Sequence, residues 1–223
     1  MAVADFDGDG WQDLYLPVTK GANRLFLGDG GGGFLDATTG DIADPGRALG
    51  VTVGDIDNDG DLDIFQPAGG IGGPIGEGDR SLMLLNMGEG QFLDVTEAVG
   101  FGGRLELSFA CLVDIDNDGD LDLYLTTVYP RDKGDLFQNQ GDGTFKAVGD
   151  TLGLRTPYSY HVAWVDYNND GSLDLMAAGK LWRNPGFGRA WLKVRVRGGA
   201  GSNGAAIGAR VKVSAGARTQ IRE

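Results

Sequence analysis

The chain of 223 residues has one cysteine, Cys111, and one histidine, His161. A lone cysteine excludes an intrachain disulfide, and so little Cys and His excludes a Cys/His zinc cluster. Cys111 falls in the apolar run Phe109-Ala110-Cys111-Leu112-Val113, where it reads as a small buried hydrophobe rather than a reactive thiol. No apolar run approaches the ~18 residues of a membrane-spanning helix, so no transmembrane segment is expected. No basic-then-apolar leader opens the sequence, and no helical period extends over a long segment. Positive charge is scarce as well. Residues 1–188 carry 11 Lys/Arg against 31 Asp/Glu, which makes nucleic acid a poor partner. Residues 189–223 reverse the balance, with 8 Lys/Arg and one Glu, but their charges alternate with apolar residues as in a half-solvated strand.

What the chain has is glycine and aspartate. Its 40 glycines far exceed the usual share of about 7%, show no collagen period, and fall between short apolar runs as turns do. The aspartates repeat the pattern Asp-x-Asp/Asn-x-Asp-Gly-x-x-Asp four times. Asp5, Asp7, Asp9, Gly10 and Asp13 form the first copy; Asp55, Asp57, Asp59, Gly60 and Asp63 the second. Asp114, Asp116, Asp118, Gly119 and Asp122 form the third; Asp166, Asn168, Asp170, Gly171 and Asp174 the fourth.

Such a cluster repels itself unless it holds a cation. Positions 1, 3 and 5 offer side-chain oxygens, and Gly at position 6 permits a sharp bend. Position 7 (Trp11, Asp61, Asp120, Ser172) offers its backbone carbonyl, and position 9 returns a carboxylate that is able to bind bidentately. An all-oxygen set with irregular geometry favours calcium over the smaller, octahedral magnesium, so about four calcium ions are expected. Four dications would bring the net charge from −13 to −5. An EF-hand is excluded, because position 12 is Leu16, Gln66, Leu125 or Ala177, none of them acidic. The fourth loop, with Asn168 at position 3, is expected to be the weakest site.

The loops begin at 5, 55, 114 and 166, a period that suggests a propeller or solenoid. Each is preceded by an apolar run and followed by an alternating one, such as Leu121-Asp122-Leu123-Tyr124-Leu125. A third apolar run follows, and in the first three repeats a Gly/Asp turn leads to a short fourth: Phe34-Leu35-Asp36, Phe92-Leu93-Asp94 and Phe145-Lys146-Ala147. Each repeat thus reads as four short antiparallel strands, one blade of a β-propeller. The expected class is all-β, with blades at about 1–40, 47–98, 107–149 and 160–187 and a short β-rich segment over 188–223. The glycine-rich stretch 69–78 reads as a surface loop inserted in the second blade, or alternatively as a partner-binding loop. Trp11, Trp164, Trp182 and Trp191 are expected to pack between blades, with a sugar-stacking role as the alternative.

The acidic loop with its flanking strands resembles the FG-GAP/VCBS repeat, the blade of integrin α-subunit propellers. Asn23-Arg24-Leu25-Phe26-Leu27 and Gly141-Asp142-Gly143-Thr144-Phe145 carry the match. The tail resembles the ASPIC/UnbV segment through Trp191 to Gly198, Gly201-Ser202-Asn203 and Ala206 to Val213. That pairing occurs in the family of cartilage acidic protein and its bacterial secreted relatives. The resemblance implies an extracellular or cell-envelope protein, adhesion or interaction with a protein or glycan at the cell surface, and no known reaction. It also implies a ring of about seven blades, of which four are counted here, so a piece of a longer protein is expected. No nucleophile stands beside His161, which reads as a strand or core residue, so no enzyme is expected. A carbohydrate-active propeller, lectin or lyase, and a purely structural scaffold are the alternatives. Partner and oligomeric state are unknown at this level.

Overall fold

The computed structural model describes residues 1–19, 21–45, 49–69, 80–101, 107–129, 133–201, 203–216 and 218–222. Most of the inserted stretch 69–78 lies outside these residues. Three sheets of four strands form in chain order: β1 (Ala2–Ala4) to β4 (Phe34–Asp36), β5 (Thr52–Gly54) to β8 (Phe92–Asp94), and β9 (Phe109–Val113) to β12 (Phe145–Ala147). A three-stranded sheet follows, β13 (Val162–Val165), β14 (Asp174–Ala177) and β15 (Lys180–Trp182). Each neighbour pair is antiparallel, for example Asp122↔Val113 through Thr126↔Phe109 between β9 and β10 (Asp122–Thr126). The chain is all-β with propeller blades. Among the described residues its only helical elements are two turns, at Gly40–Ala43 and at α1 (Gly149–Leu152).

The period-2 alternation of the second strands sets how the sheets stack. In β6 (Asp63–Gln66), Ile64 packs toward the first sheet with Phe6, Tyr15 and Leu25, whereas Phe65 packs toward the third with Ala110, Leu123 and Leu125. In β10, Leu123 and Leu125 face the second sheet and Tyr124 faces the fourth with Leu175 and Ala177. Both strands are buried on both faces, while β2 (Asp13–Leu16) alternates buried with half-buried residues. Full burial of each such Leu, Ile or Phe contributes about 1.5–3 kcal/mol. The cores therefore lie between sheets and not within one, as in a propeller.

The tryptophans divide. Trp164 meets Tyr124 edge-on at 5.6 Å, and Trp164 and Trp182 join the core between the third and fourth sheets. Trp11 and Trp191 are half exposed, at 52% and 49%. Each lies on a glycine turn instead: a Cβ on Gly30 would fall 2.3 Å from the Trp11 ring, and one on Gly171 would fall 2.1 Å from that of Trp191. His161 is exposed and packs its ring on Phe109 at 5.4 Å, just before β13.

The tail differs from its pattern. Residues 189–197 form no strand, although they alternate as one, and Leu192, Val194 and Val196 are 70%, 51% and 43% exposed. Alternation fits a residue to a pleat but does not supply a ladder partner. The hairpin comes later, between β16 (Val211–Ala215) and β17 (Arg218–Arg222). Its Ile221 is buried against Gly60. A cavity of about 600 Å³ is lined by Val3, Val53 and Leu112 beside the inner strands and by Ile207, Ile221 and Arg222 of the tail.

Candidate metal centres

The four acidic loops join the first two strands of each sheet, and their backbone conformation follows from residue type. Position 4 has positive φ throughout: Gly8 at 77°, Asn58 at 62°, Asn117 at 57° and Asn169 at 60°. Gly and Asn are the residues that tolerate the left-handed region best. Position 6 is likewise positive, from 87° at Gly171 to 106° at Gly60.

The position 9 aspartate anchors each loop from within. Asp13 Oδ2 accepts from the Phe6 amide at 2.7 Å and Oδ1 from the Gly28 amide at 2.8 Å. Asp63 does the same with Ile56 and Asn86, Asp122 with Ile115 and Asn139, and Asp174 with Tyr167 and Asn184. Each oxygen has two lone pairs, so each keeps one position open to a cation. Positions 3 and 5 fold back on amides two residues on: Asp57 accepts from Asp59, and Asp59 from Asp61.

In the first three loops the carboxylates of positions 1, 3 and 9 converge. One oxygen from each of Asp5, Asp7 and Asp13 lies within 4.8 Å of the others, as in Asp55, Asp57, Asp63 and in Asp114, Asp116, Asp122. The position 5 residues Asp9, Asp59 and Asp118 stand outside these triads, and among the described residues the fourth loop forms none. There Asn168 Nδ2 donates to Asp170 Oδ2 at 2.7 Å, and Asp170 also pairs with Arg183 at 3.5 Å. Of the position 7 side chains, Asp120 is buried and accepts from Asn58 Nδ2 at 2.8 Å. Trp11 lies on Gly30, and Ser172 is buried.

Burial dominates the electrostatics of these triads. It pushes Asp55 up to about 6, Asp122 to about 7 and Asp63 to about 8, with neighbouring carboxylates adding to the rise and backbone amides opposing it. The second loop is the most demanding. Asp55 is fully buried, and neither of its oxygens has a hydrogen-bond partner, although the Asn58 and Gly60 amides face it at looser geometry. An unpaired buried carboxylate is costly, and a hard cation satisfies it. The donor set therefore fits a calcium-like ion at the first three loops and fits less well at the fourth.

Three asparagines that the sequence reading passed over bind the sheets together. Asn86 Nδ2 donates to the carbonyl of Phe6 at 2.7 Å, Asn139 to that of Ile56 at 3.0 Å and Asn184 to that of Ile115 at 2.8 Å. Each thus holds position 2 of the preceding acidic loop, while its own amide binds the position 9 carboxylate of its own loop. The signal was present: an Asn ends the third apolar run of repeats two to four, where the first repeat has Gly28. The loops also join laterally, Asn58 to Asp120 and Asn117 Nδ2 to the Gly171 carbonyl at 3.0 Å.

Residues 5–65 and 114–177, each segment spanning two acidic loops, match the FG-GAP-like repeat family. The chain belongs to that family. As an FG-GAP-like repeat protein it is similar to cartilage acidic protein 1 of Homo sapiens, 28% identical over 216 residues. That match covers 87% of this chain and 32% of the relative, so the chain spans about a third of the relative's length. In fold it resembles an Agrocybe aegerita lectin whose structure concerns recognition of non-reducing terminal N-acetylglucosamine. The TM-score is 0.51 at 20% identity, over 82% of this chain and 48% of the lectin chain. No described helix is long and apolar enough to cross a membrane.

Proposed function

We propose that the chain is a calcium-binding β-propeller module of a secreted or cell-envelope protein, and that it mediates adhesion or interaction with a protein or glycan. The observation that carries the metal reading is the buried Asp55 carboxylate, unpartnered on both oxygens inside the triad with Asp57 and Asp63. Asp5, Asp7, Asp13 and Asp114, Asp116, Asp122 would hold ions in the same way, and the fourth loop would hold the weakest. When bound, the ion neutralises the clustered carboxylates. The chain's own contribution is to orient them, through the position 9 aspartates and the interblade asparagines. In this reading the ions hold the fold together, the surfaces that it displays do the binding, and no residue is catalytic.

Location outside the cell is supported by the similarity to cartilage acidic protein 1 and by the pattern of the tail, read as an ASPIC/UnbV-like segment. A glycan-binding role is the second reading, supported by the likeness in fold to a lectin. Isothermal titration calorimetry with calcium tests the metal reading. About four ions are expected, with affinities of roughly 10⁻⁴–10⁻³ M as in extracellular modules. Absence of binding heat, with a melting temperature indifferent to chelator, would overturn it. A glycan array probed with calcium-loaded protein decides the kind of partner, since binding to a defined glycan supports a lectin-like role and a blank array supports a protein partner.

A further inference from the structure

Among the described residues, three of the eight cations after residue 188 reach into the acidic loops. Arg189 Nη1 lies 2.8 Å from Asp116 Oδ1 and 3.0 Å from Asp118 Oδ2, at positions 3 and 5 of the third loop. Lys193 Nζ donates to Asn169 Oδ1 of the fourth loop at 3.1 Å. Arg210 donates to the Gly60 carbonyl of the second loop, and its Nη1 lies 3.5 Å from Asp5 Oδ2 of the first. A single basic segment thus reaches all four loops, and Trp191 rests on Gly171 between two of these contacts.

The segment's closer ion pair with a triad carboxylate is in the third loop, at 2.8 Å against 3.5 Å in the first. Asp116 Oδ1 accepts from the Asp118 amide at 3.1 Å as well as from Arg189, and Oδ2 accepts from Gln138 Nε2 at 2.8 Å. With two lone pairs on each oxygen, Asp116 has one acceptor position left. Its counterpart Asp57 in the second loop shows a single bond of this kind, from the Asp59 amide at 3.2 Å. The Asp116 side chain is 3% exposed, so water does little to weaken its pairing with Arg189.

We infer that Arg189 is a built-in competitor for the cation of the third loop: a dication taken up there displaces the guanidinium and releases the segment that follows it. The inference rests on the reading of the loops as calcium sites. Competition is reciprocal, so whatever weakens the seating of the segment tightens the third site by the same factor. The second triad, whose Asp57 has no such ion pair among the described residues, accordingly loads at lower calcium than the third.

Calcium titration of the intact chain and of Arg189→Gln, with limited trypsin digestion of both, tests this. The variant should bind calcium at one site about fivefold more tightly, with the other sites unchanged. In the wild type, calcium should speed cleavage between 193 and 197 while the blades stay intact by mass. Equal affinities in both proteins, or calcium-independent cleavage of the segment, would overturn the competitor role while leaving the calcium sites standing. No calcium binding to either protein would overturn both.

Discussion

Asn139 Nδ2 donates to the carbonyl of Ile56, 83 residues earlier, and ties the third sheet to the second acidic loop. The same amide nitrogen lies 3.3 Å from the Leu121 carbonyl, and Oδ1 accepts from the Gly141 amide at 3.0 Å. Every polar atom of this buried side chain is engaged. Asn139→Ala orphans acceptors on two blades and should cost about 2–4 kcal/mol. Urea denaturation should show this loss with calcium present or chelated, because no metal ligand is removed.

Asp55→Asn should act in opposite directions. It removes a buried charge without hydrogen-bond partners, so in chelator at pH 8 the melting temperature should rise by about 2–4 °C. In calcium the variant should melt below the wild type and bind one ion fewer. Differential scanning calorimetry in both buffers reads the crossing.

Stability should fall as pH rises in chelator, and calcium should flatten that dependence. Asp55, Asp122 and Asp63 are raised to about 6, 7 and 8, above the ordinary value of 3.8 that they regain on unfolding. Between those limits the folded state binds more protons than the unfolded one, so stability falls as pH rises from about 4 to about 8. The chelated protein should therefore melt higher at pH 5.5 than at pH 8. Calcium requires the deprotonated carboxylates, so its stabilising effect should grow over the same interval. Melting curves at the two pH values, with and without calcium, give the four numbers needed.

Asn168→Asp supplies the acid missing from the fourth loop. Without calcium it replaces the donation from Asn168 to Asp170 by repulsion and should lower the melting temperature. With calcium it should tighten the weakest site by about five- to tenfold, since ligand charge tunes affinity. Calorimetric titration of the variant checks both the site and its rank.

Gly171→Ala places a methyl group in the Trp191 ring at a φ of 87°. The backbone term is about 1–2 kcal/mol, and the clash adds to it by unseating Trp191. A red shift of tryptophan emission is expected, without loss of the far-UV strand signal.

Local features were legible in the sequence and contacts between blades were not. Gly8, Asn58, Asn117 and Asn169 announce their left-handed backbone by residue type, and the alternation of β10 announces a strand. Residues 189–197 carry the same alternation yet form no strand, because the pattern encodes a pleat and not the neighbour that completes it. The bonds of Asn86, Asn139 and Asn184 escaped for a related reason. Their partners lie 69 to 83 residues away, and only the stacking of sheets brings them close. Trp11 was expected between blades and lies on Gly30 of its own blade, a contact inside one hairpin that strand periodicity does not resolve.

Each interblade asparagine points backward along the chain, and this gives the molecule a direction in time. During synthesis the carbonyls of Phe6, Ile56 and Ile115 leave the ribosome 69 to 83 residues before the side chains that bind them. At about 5–20 residues per second, that is roughly 3–17 s of waiting. Each new blade then meets a surface already laid down by its predecessor, so growth of the chain and growth of the stack proceed in the same order.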